Sequence, residues 1–190
     1  MAKSRLGFAM TGSFCTFSRI IDKMEELKEF YDIYPIMSNN ACSMDTRFGK
    51  AKEHIERIEK ITGNKVIKTI AEAEPIGPKD MLDILLIAPC TGNTLAKLAN
   101  SITDTTVTMA AKSHLRGQKP IVIAMSTNDG LAGTAKNLGT VLNMKHYYFV
   151  PFSQDDPIKK PFSLVADFDR IYDTLLLASD RVQIQPILAK

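Results

Sequence analysis

A 20-residue run, residues 83–102, constrains the fold of this 190-residue chain more than any other segment. Four consecutive apolar residues at 84–87 are typical of a parallel strand that is buried on both faces. Pro89 has no backbone N–H to donate, so we expect the strand to stop there. Apolar residues then recur at helical spacing, and Thr91 and Asn93 can cap that helix. The run predicts a buried strand, a polar ligand loop and a helix whose N-terminus points at the loop.

Strand and helix patterns alternate along the rest of the chain, which indicates an α/β fold with a doubly wound, mostly parallel sheet of the Rossmann-like or flavodoxin-like type and helices on both faces. The predicted strands are residues 6–10, 32–37, 84–87, 120–125 and 147–150, with a short edge-like segment at 66–70. Besides the helix after the central strand, the predicted helices are residues 18–31, 49–62, 106–116, 133–142 and 165–179. We expect one domain over residues 1–190, with an apolar tail at 182–188 that adds an edge strand or packs on a second copy of the chain.

Composition and charge exclude several classes of protein. The chain has 24 basic and 21 acidic residues and no basic run interleaved with aromatic residues, so nucleic-acid binding is not expected. No apolar run approaches the roughly 20 residues that cross a bilayer, and the first predicted strand follows the N-terminus too closely for a signal peptide. We expect a cytoplasmic protein that does not bind membranes.

The three cysteines, Cys15, Cys42 and Cys90, are far apart and form no CxxC pair. Neither a disulfide framework nor a zinc site is therefore expected. Cys90 differs because it lies in the predicted ligand loop just before a helix N-terminus, where the pKa of a thiol can be lowered. A structural role is the commoner one for such a cysteine, and a nucleophilic role is the minor alternative.

The loops that follow the predicted strands share a polar composition. In an open parallel sheet, ligands bind outside the carboxyl ends of the strands, so these loops are expected to meet. Segments 11–14, 38–40, 89–94 and 126–129 all carry small hydroxyl or amide residues, which can cradle a phosphate and hydrogen-bond a heterocycle. No histidine lies in them, so neither a Ser-His-Asp triad nor a histidine-rich metal site is expected. A nucleotide cofactor that supplies the chemistry fits these loops better.

Each loop taken alone has a structural alternative. Residues 7–13 span the length of a P-loop, but Ser13 occupies the position of its lysine and Phe14 follows, so the anchor for a β- or γ-phosphate is missing. There is no G-x-G-x-x-G motif, and a turn at Gly12 and Ser13 also suits a plain strand-to-helix connection. His54 is expected to be a solvated side chain on a charged helix. The prediction of a binding site rests on the loops jointly.

Residues 88–100, reading APCTGNTLAKLAN, resemble the strand end, Pro-Ala-Ser-Ala-Asn-Thr loop and helix of the homo-oligomeric flavin-containing cysteine decarboxylase family. These FMN flavoproteins include phosphopantothenoylcysteine decarboxylase and flavin prenyltransferase, and the resemblance extends over roughly residues 6–150. It implies that FMN is the cofactor. Carried over by position, the phosphate would be held by Gly12, Ser13, Phe14 and Ser38, and the ring and ribityl chain would be lined by Pro89, Cys90, Thr91, Asn93 and Thr94.

The chain departs from the decarboxylase pattern at two places. The family's decarboxylases carry a catalytic histidine thirteen residues before the Ala-Pro of the central loop, and here that position is Pro75. Their Pro-x-Met-Asn segment is replaced by residues 124–128, reading AMSTN. Cysteine decarboxylation is therefore not expected, and the resemblance assigns no catalytic residue.

Segments 10–17 and 88–128 most resemble one branch of the family, a synthase component that works with a dehydrogenase-like partner in sporulating bacteria. This resemblance implies oxidation of a dihydropyridine dicarboxylate to pyridine-2,6-dicarboxylate in the mother cell, by a homo-oligomer such as a trimer or dodecamer. The hydride acceptor is either FMN or an NAD or NADP brought by the partner. Two alternatives stay open: an FMN-dependent decarboxylase or prenyltransferase that acts alone, and a non-catalytic FMN-binding protein.

A dicarboxylate substrate needs cations, and a partner protein needs exposed apolar surface. Arg47, Lys112 and Arg116 are the candidate cations because they lie in or near the loops and the helix beyond them, although solvated surface charge is the commoner role of such residues. The tail at 182–188 is the first candidate for the contact with the partner, and residues 151–162 are the second.

Overall fold

Seven strands form one sheet in the computed structural model, which describes residues 3–189. The strands are β1 (Ser4–Met10), β2 (Tyr31–Met37), β3 (Ile84–Cys90), β4 (Ile121–Thr127), β5 (Tyr147–Phe149), β6 (Phe152–Asp156) and β7 (Lys160–Ala166). The helices are α1 (Phe17–Leu27), α2 (Asn39–Ser43), α3 (Ala51–Thr62), α4 (Ile70–Ala73), α5 (Gly92–Ala99), α6 (Thr106–Leu115), α7 (Ala135–Leu142) and α8 (Ile171–Ser179). Short 3₁₀ turns cover Phe14–Thr16, Glu74–Ile76 and Phe168–Arg170.

The first five strands are parallel and follow the order β2-β1-β3-β4-β5. This is the order of a doubly wound, flavodoxin-like sheet, in which the direction of winding changes between β1 and β3. The predicted fold class is therefore confirmed. Ligands of such sheets bind at the carboxyl ends of the strands beside that change of direction.

Helices cover both faces of the sheet, as expected. Helices α1 and α3 pack on each other, and the 3₁₀ turn before α8 contacts α1. Helices α1, α3 and α8 therefore form one layer. Helices α4, α5, α6 and α7 contact one another in the second layer. Strand β3 lies between the layers and is buried at every position, which explains its uninterrupted apolar sequence. No helix in the described part of the chain is long and apolar enough to cross a membrane.

The central strand runs past Pro89 to Cys90, so the prediction that the ladder stops at the proline was wrong. Pairing with β4 shifts in register between Ile87 and Cys90 and then resumes. A proline lacks only the backbone N–H donor, and its carbonyl oxygen can still accept a hydrogen bond. The backbone N–H and the hydroxyl of Thr11 both donate to the Pro89 carbonyl, at 3.2 and 2.7 Å. These two bonds attach the end of β3 to the loop that follows β1.

An antiparallel hairpin of β6 and β7 replaces part of the predicted last helix. Strand β4 pairs with β5 at Ile121–Ile123 and with β7 at Ser126 and Thr127, so the hairpin joins the sheet at its carboxyl edge. Val165 pairs with both β4 and β6, which makes it part of a strand, and α8 begins only at Ile171. The helix predicted from residue 165 is therefore six residues shorter at its start.

Smaller differences concern the edges of predicted elements. Helix α1 ends at Leu27, and Tyr31 is the first residue of β2 instead of the last of the helix. The predicted edge segment at 66–70 makes one parallel bridge, between Ile36 and Ile67. The tail makes a similar bridge from Leu188 to Phe152, so it lies beside β6 of its own chain.

Candidate functional site

A cavity of about 880 Å³ opens at the carboxyl edge of the sheet. Its volume lies within the range of roughly 300–1,000 Å³ that is common for sites of small molecules and cofactors. The loops after β1, β3 and β4 and the β6–β7 hairpin line it, together with Arg19 of α1, the turn at Arg47 and Phe48, and Phe168. Three of the four loops predicted to converge meet here, at the change of winding between β1 and β3, whereas segment 38–40 does not line the cavity.

Hydrogen bonds fix the loop after β1 in place. The hydroxyl oxygen of Ser13 lies 2.8 Å from that of Ser126, which is 7% exposed at the end of β4. The backbone N–H of Ser13 donates to the carbonyl of Thr11 at 2.8 Å, and the hydroxyl of Thr16 donates to the carbonyl of Ser13 at 2.8 Å. These hydrogen bonds therefore hold the loop in one conformation at the cavity.

Helix α5 points its N-terminus at the same cavity. Thr91 caps the helix, because its hydroxyl accepts from the backbone N–H of Thr94 at 3.3 Å, as predicted. The backbone N–H of Thr91 donates to the hydroxyl of Thr11 at 3.0 Å. Gly92 and Asn93 lie in the first turn, where backbone N–H groups have no partner within the helix, and both line the cavity. These groups and the helix dipole favour an anion.

Asp129, in the loop after β4, lies beside the first residue of this helix. One oxygen of its carboxylate, Oδ1, accepts from the hydroxyls of Thr127 at 2.6 Å and Thr134 at 2.8 Å. The three polar atoms leave no room beside Gly92, because a Cβ atom there would lie 2.7 Å from Thr127 Oγ1, 2.8 Å from Asp129 Oδ1 and closer still to Thr134 Oγ1. Sequence reasoning noted the polar turn at 126–129 but missed the need for a glycine at residue 92.

The cavity's donors match an FMN molecule. Its phosphate is a dianion that suits backbone N–H groups and hydroxyls at a helix start, which Gly12, Phe14, the Ser13 hydroxyl and the first turn of α5 provide. The ring system is planar and largely uncharged, and the aromatic rings of Phe14, Phe48 and Phe168 line the same space. The residues present therefore fit the cofactor.

Comparison with known proteins agrees with this fit. The sequence matches the family described as Flavoprotein over residues 1–169. It is 44% identical over 187 residues to the B subunit of dipicolinate synthase from Bacillus subtilis strain 168, an alignment that covers 98% of this chain and 94% of that protein. This chain belongs to the flavoprotein family. The alignment with this relative spans nearly the whole of both chains.

Two solved structures are similar to this flavoprotein. The crystal structure of the B subunit of dipicolinate synthase from Bacillus halodurans superposes with a TM-score of 0.91 and 40% identity, covering 100% of this chain and 97% of that one. The crystal structure of an FMN-dependent cysteine decarboxylase gives a TM-score of 0.70 at 22% identity, covering 94% and 98%. At 22% identity, the similarity to the decarboxylase shows a shared fold alone.

The nine predicted FMN-contacting residues of this flavoprotein divide into two groups. Gly12, Ser13, Phe14, Thr91 and Asn93 line the cavity. Ser38, Pro89, Cys90 and Thr94 do not line it.

The members of the second group support the loops from behind. Ser38 caps α2, because its hydroxyl accepts from the backbone N–H of Ala41 at 3.3 Å, and its own N–H donates to the carbonyl of Met10 at 3.0 Å. Thr94 accepts a hydrogen bond from the hydroxyl of Thr91 at 3.1 Å. The bond to Thr94 holds the cavity-lining Thr91, and the bonds of Ser38 hold α2 and the end of β1.

Cys90 is buried and does not line the cavity. Burial raises the pKa of its thiol to about 12, so the nucleophilic thiolate is not formed at neutral pH. The minor alternative of a nucleophilic Cys90 is therefore disfavoured. Cys15 is the exposed cysteine that lines the cavity, with its sulfur 3.9 Å from the hydroxyl oxygen of Ser13.

None of the three histidines lines the cavity. His54 was predicted to be solvated, but its ring is half-buried and packs edge-on against Phe17, with 5.3 Å between ring centroids. His114 is 2% exposed at the amino edge of the sheet, where its Nε2 lies 3.1 Å from the carbonyl oxygen of Pro120. Burial lowers the pKa of His114 to about 4. The position of the decarboxylase histidine, Pro75, lies in a 3₁₀ turn outside the cavity lining.

The cations at the cavity differ from the predicted set. Arg47 lines it, whereas Lys112 and Arg116 are exposed elsewhere. Arg19 and Lys160 also line it. Sequence reasoning missed Arg19 because it lies on an otherwise ordinary amphipathic helix, and it missed Lys160 because the hairpin was not predicted.

Proposed function

We propose that this flavoprotein binds FMN and acts with a dehydrogenase-like partner, the A subunit of dipicolinate synthase, to form pyridine-2,6-dicarboxylate from a dihydrodipicolinate-type intermediate. The substrate and the partner are suggested by the 44% identical relative, which is named as the B subunit of that enzyme. The observation that carries the proposal is the cavity at the carboxyl edge, where an anion cradle and three cations meet. An anionic cofactor and an anionic substrate fit in one such space.

FMN fits this cavity better than FAD or NAD. A dinucleotide needs a second phosphate contact, and NAD-binding sheets place an acidic side chain after the second strand to bind a ribose. Here Ser38 follows β2 directly, and one loop with one helix start forms the anion cradle. The chain therefore has the contacts for a mononucleotide.

When bound, FMN supplies a ring that can accept a hydride, and the alternative acceptor is an NAD or NADP carried by the partner. The residues of this chain would bind the cofactor and the substrate and orient one against the other. Gly12, the hydroxyl of Ser13 and Gly92 would hold the phosphate end, and Phe14 would help to exclude water from the ring. Loss of a hydride and a proton makes the product aromatic, which favours the reaction. The remaining task is to hold the dicarboxylate against the ring.

The wider setting belongs to the same proposal. The protein would form one domain over residues 1–190 and assemble as a homo-oligomer in the mother cell of a sporulating bacterium. The partner would contact apolar side chains that stay exposed, namely Val182 and Leu188 of the tail or Ile158 and Phe162 of the hairpin. Phe152 and Ile184 are unsuited to this contact, because both are buried within the chain.

The proposal is tested by measuring dipicolinate from its ultraviolet absorbance with this chain alone, with the partner alone and with both. We expect product only from the mixture, because this chain offers no histidine in its cavity and no dinucleotide motif. Product from this chain alone would overturn the need for a partner. Product from the partner alone would leave this chain as a non-catalytic FMN-binding protein.

A decarboxylase or prenyltransferase that acts alone is the less favoured function. Pro75 stands where the family's decarboxylases carry histidine, and Ser126 and Thr127 replace part of their substrate segment. Incubating the FMN-loaded chain with a pantothenoyl or peptidyl cysteine should release no carbon dioxide. Turnover of such a substrate would reverse the ranking of the two functions.

A further inference from the structure

One cation at the cavity lacks an acidic partner. Lys160 pairs with Asp155 at 2.6 Å, and Arg19 pairs with Asp169 at 3.3 Å. Arg47 makes no ion pair within residues 3–189. Its positive charge is therefore available to a ligand.

A short closed turn presents Arg47 to the cavity. The backbone N–H of Thr46 donates to the carbonyl of Gly49 at 3.0 Å, and the N–H of Gly49 donates to the carbonyl of Thr46 at 3.1 Å. The Arg47 guanidinium carbon lies 4.8 Å from the centroid of the Phe48 ring, and both residues line the cavity. Stacking on an aromatic ring restricts the guanidinium while leaving its edge N–H groups free to donate.

The turn rests on the ring of His54. Gly49 has a φ of +130°, which disfavours any residue with a side chain. The histidine ring occupies the space beside it, because a Cβ atom on Gly49 would lie 2.6 Å from His54 Nε2. That nitrogen is buried and has no hydrogen-bond partner in the described residues. The ring also packs on Phe17, so the turn is fixed to helix α1.

Arg47 and Lys160 both line the cavity and come from opposite parts of the strand order. Arg47 follows β2, at one end of the strand order β2-β1-β3-β4-β7-β6, and Lys160 begins β7, towards the other end. The anion cradle of Gly12–Phe14 and α5 follows β1 and β3, between them. A ligand with two separated negative groups, placed over the middle strands, would have one cation on each side.

We propose that Arg47 and Lys160 are the specificity-determining pair of this site, each holding one carboxylate of a planar aromatic dicarboxylate. The inference rests on the proposed function and names the residues that bind the substrate of that function. The forked N–H groups of arginine match a carboxylate bidentately. An exposed lysine–carboxylate pair contributes little to stability, so Lys160 can exchange Asp155 for a substrate carboxylate.

The experiment measures binding by calorimetry to the purified chain, with and without FMN. The probes are pyridine-2,6-dicarboxylate and pyridine-2-carboxylate, which differ by one carboxylate. The variants are Arg47→Gln, Arg47→Lys, Lys160→Gln and, as control, Lys112→Gln, an exposed lysine outside the cavity. FMN affinity is measured for each variant from quenching of flavin fluorescence.

We expect either glutamine substitution at residue 47 or 160 to weaken the dicarboxylate about tenfold, towards the affinity of the monocarboxylate, which a single remaining cation can still hold. Arg47→Lys should keep part of the affinity, and Lys112→Gln should keep all of it. Affinity for FMN should be unchanged throughout, because backbone N–H groups and the Ser13 hydroxyl, and not these cations, would hold its phosphate.

The outcomes separate this inference from the proposed function. Dicarboxylate binding that is unchanged by both Arg47→Gln and Lys160→Gln would overturn the inference and leave the function standing. Loss of FMN affinity in Arg47→Gln, with dicarboxylate binding intact, would assign Arg47 to the phosphate and also overturn the inference. Wild-type protein that binds no dicarboxylate in either state would overturn both.

Discussion

The two edges of the sheet use charge in opposite ways. At the amino edge, Arg5 and Asp83 pair at 2.7 Å and Lys119 and Asp80 pair at 2.6 Å, so each charge is matched within the chain. At the carboxyl edge, hydroxyls, free backbone N–H groups and Arg47, which has no acidic partner in residues 3–189, face a cavity. The four charges named at the amino edge are all paired, whereas at the carboxyl edge Lys160 and Arg19 are paired and Arg47 is left for a ligand.

The comparison shows that polar residues alone do not locate a binding site. The Arg5 guanidinium holds the pKa of the Asp83 carboxyl at about 2, as strong a perturbation as many functional sites show. Yet this shift only reports a satisfied ion pair. At the carboxyl edge, the informative feature is the reverse, donors without an internal acceptor. Three substitutions test this contrast, from the largest expected effect to the smallest.

Ser13→Asp should have the largest effect. It sets a carboxylate against the FMN phosphate in the loop after β1, and two like charges in a partly desolvated site repel strongly. We expect FMN binding to weaken by several kcal/mol, on the order of a hundredfold or more, measured by fluorescence titration.

The matched control is Ser101→Asp, at an exposed serine after α5 that does not line the cavity. It adds the same charge and should leave FMN affinity unchanged. Retained affinity in Ser13→Asp would place the phosphate elsewhere and remove the main functional distinction between the two edges.

At the amino edge, a substitution should change the stability of the protein instead of its affinity for FMN. Burial lowers the pKa of His114 to about 4, against about 6.5 when the chain is unfolded, so the unfolded chain binds a proton first. The contribution of the neutral imidazole to the free energy of unfolding is complete above about pH 6.5 and is lost as the pH falls towards 4. The loss amounts to up to about 3 kcal/mol. Denaturant unfolding at several pH values measures this.

His114→Asn removes the titrating group, so the free energy of unfolding should fall less steeply between pH 6.5 and 4. FMN affinity should be unaffected, because His114 lies at the opposite edge from the cavity. An unchanged pH dependence in the variant would show that the buried imidazole does not cause the acid sensitivity.

A third substitution tests the close packing beneath the cavity. Gly92→Ala would press a methyl group against the hydroxyls of Thr127 and Thr134 and the carboxylate of Asp129. We expect a loss of about 1–2 kcal/mol of stability and weaker FMN binding. Gly139→Ala is the control, because a Cβ atom there meets nothing within 4 Å and a helical alanine is favoured by about 0.5–1 kcal/mol. Equal melting temperatures for the two variants would contradict the account of Gly92.

Sequence reasoning succeeded where a local pattern determines the structure. The apolar run of β3, the Thr91 cap of α5 and the end of α3 at residue 62 follow from periodicity and capping within a few residues. The parallel order of the sheet then makes the strand-end loops converge. These features together predicted the fold class and the position of the cavity.

The failures share a non-local cause. The hairpin at residues 152–166 contains two prolines and several charges, and its strands are fixed by pairing with β4 and with each other. Lys160 reaches the cavity only through that pairing. His54 was wrongly expected to be solvated, because its packing against Phe17 of α1 sets its surroundings. No short sequence window contains those contacts.

The most direct test of the account is an FMN titration of the purified chain, followed between roughly 350 and 500 nm, where an oxidised flavin absorbs, and repeated with FAD and NAD. We predict saturable binding of one FMN per chain, flavin absorbance that stays with the protein on gel filtration, and released cofactor that runs as FMN on chromatography. Neither FAD nor NAD should compete at similar concentrations. A chain that takes up no FMN, or that binds a dinucleotide more tightly, would contradict the claim that the carboxyl edge is a mononucleotide site.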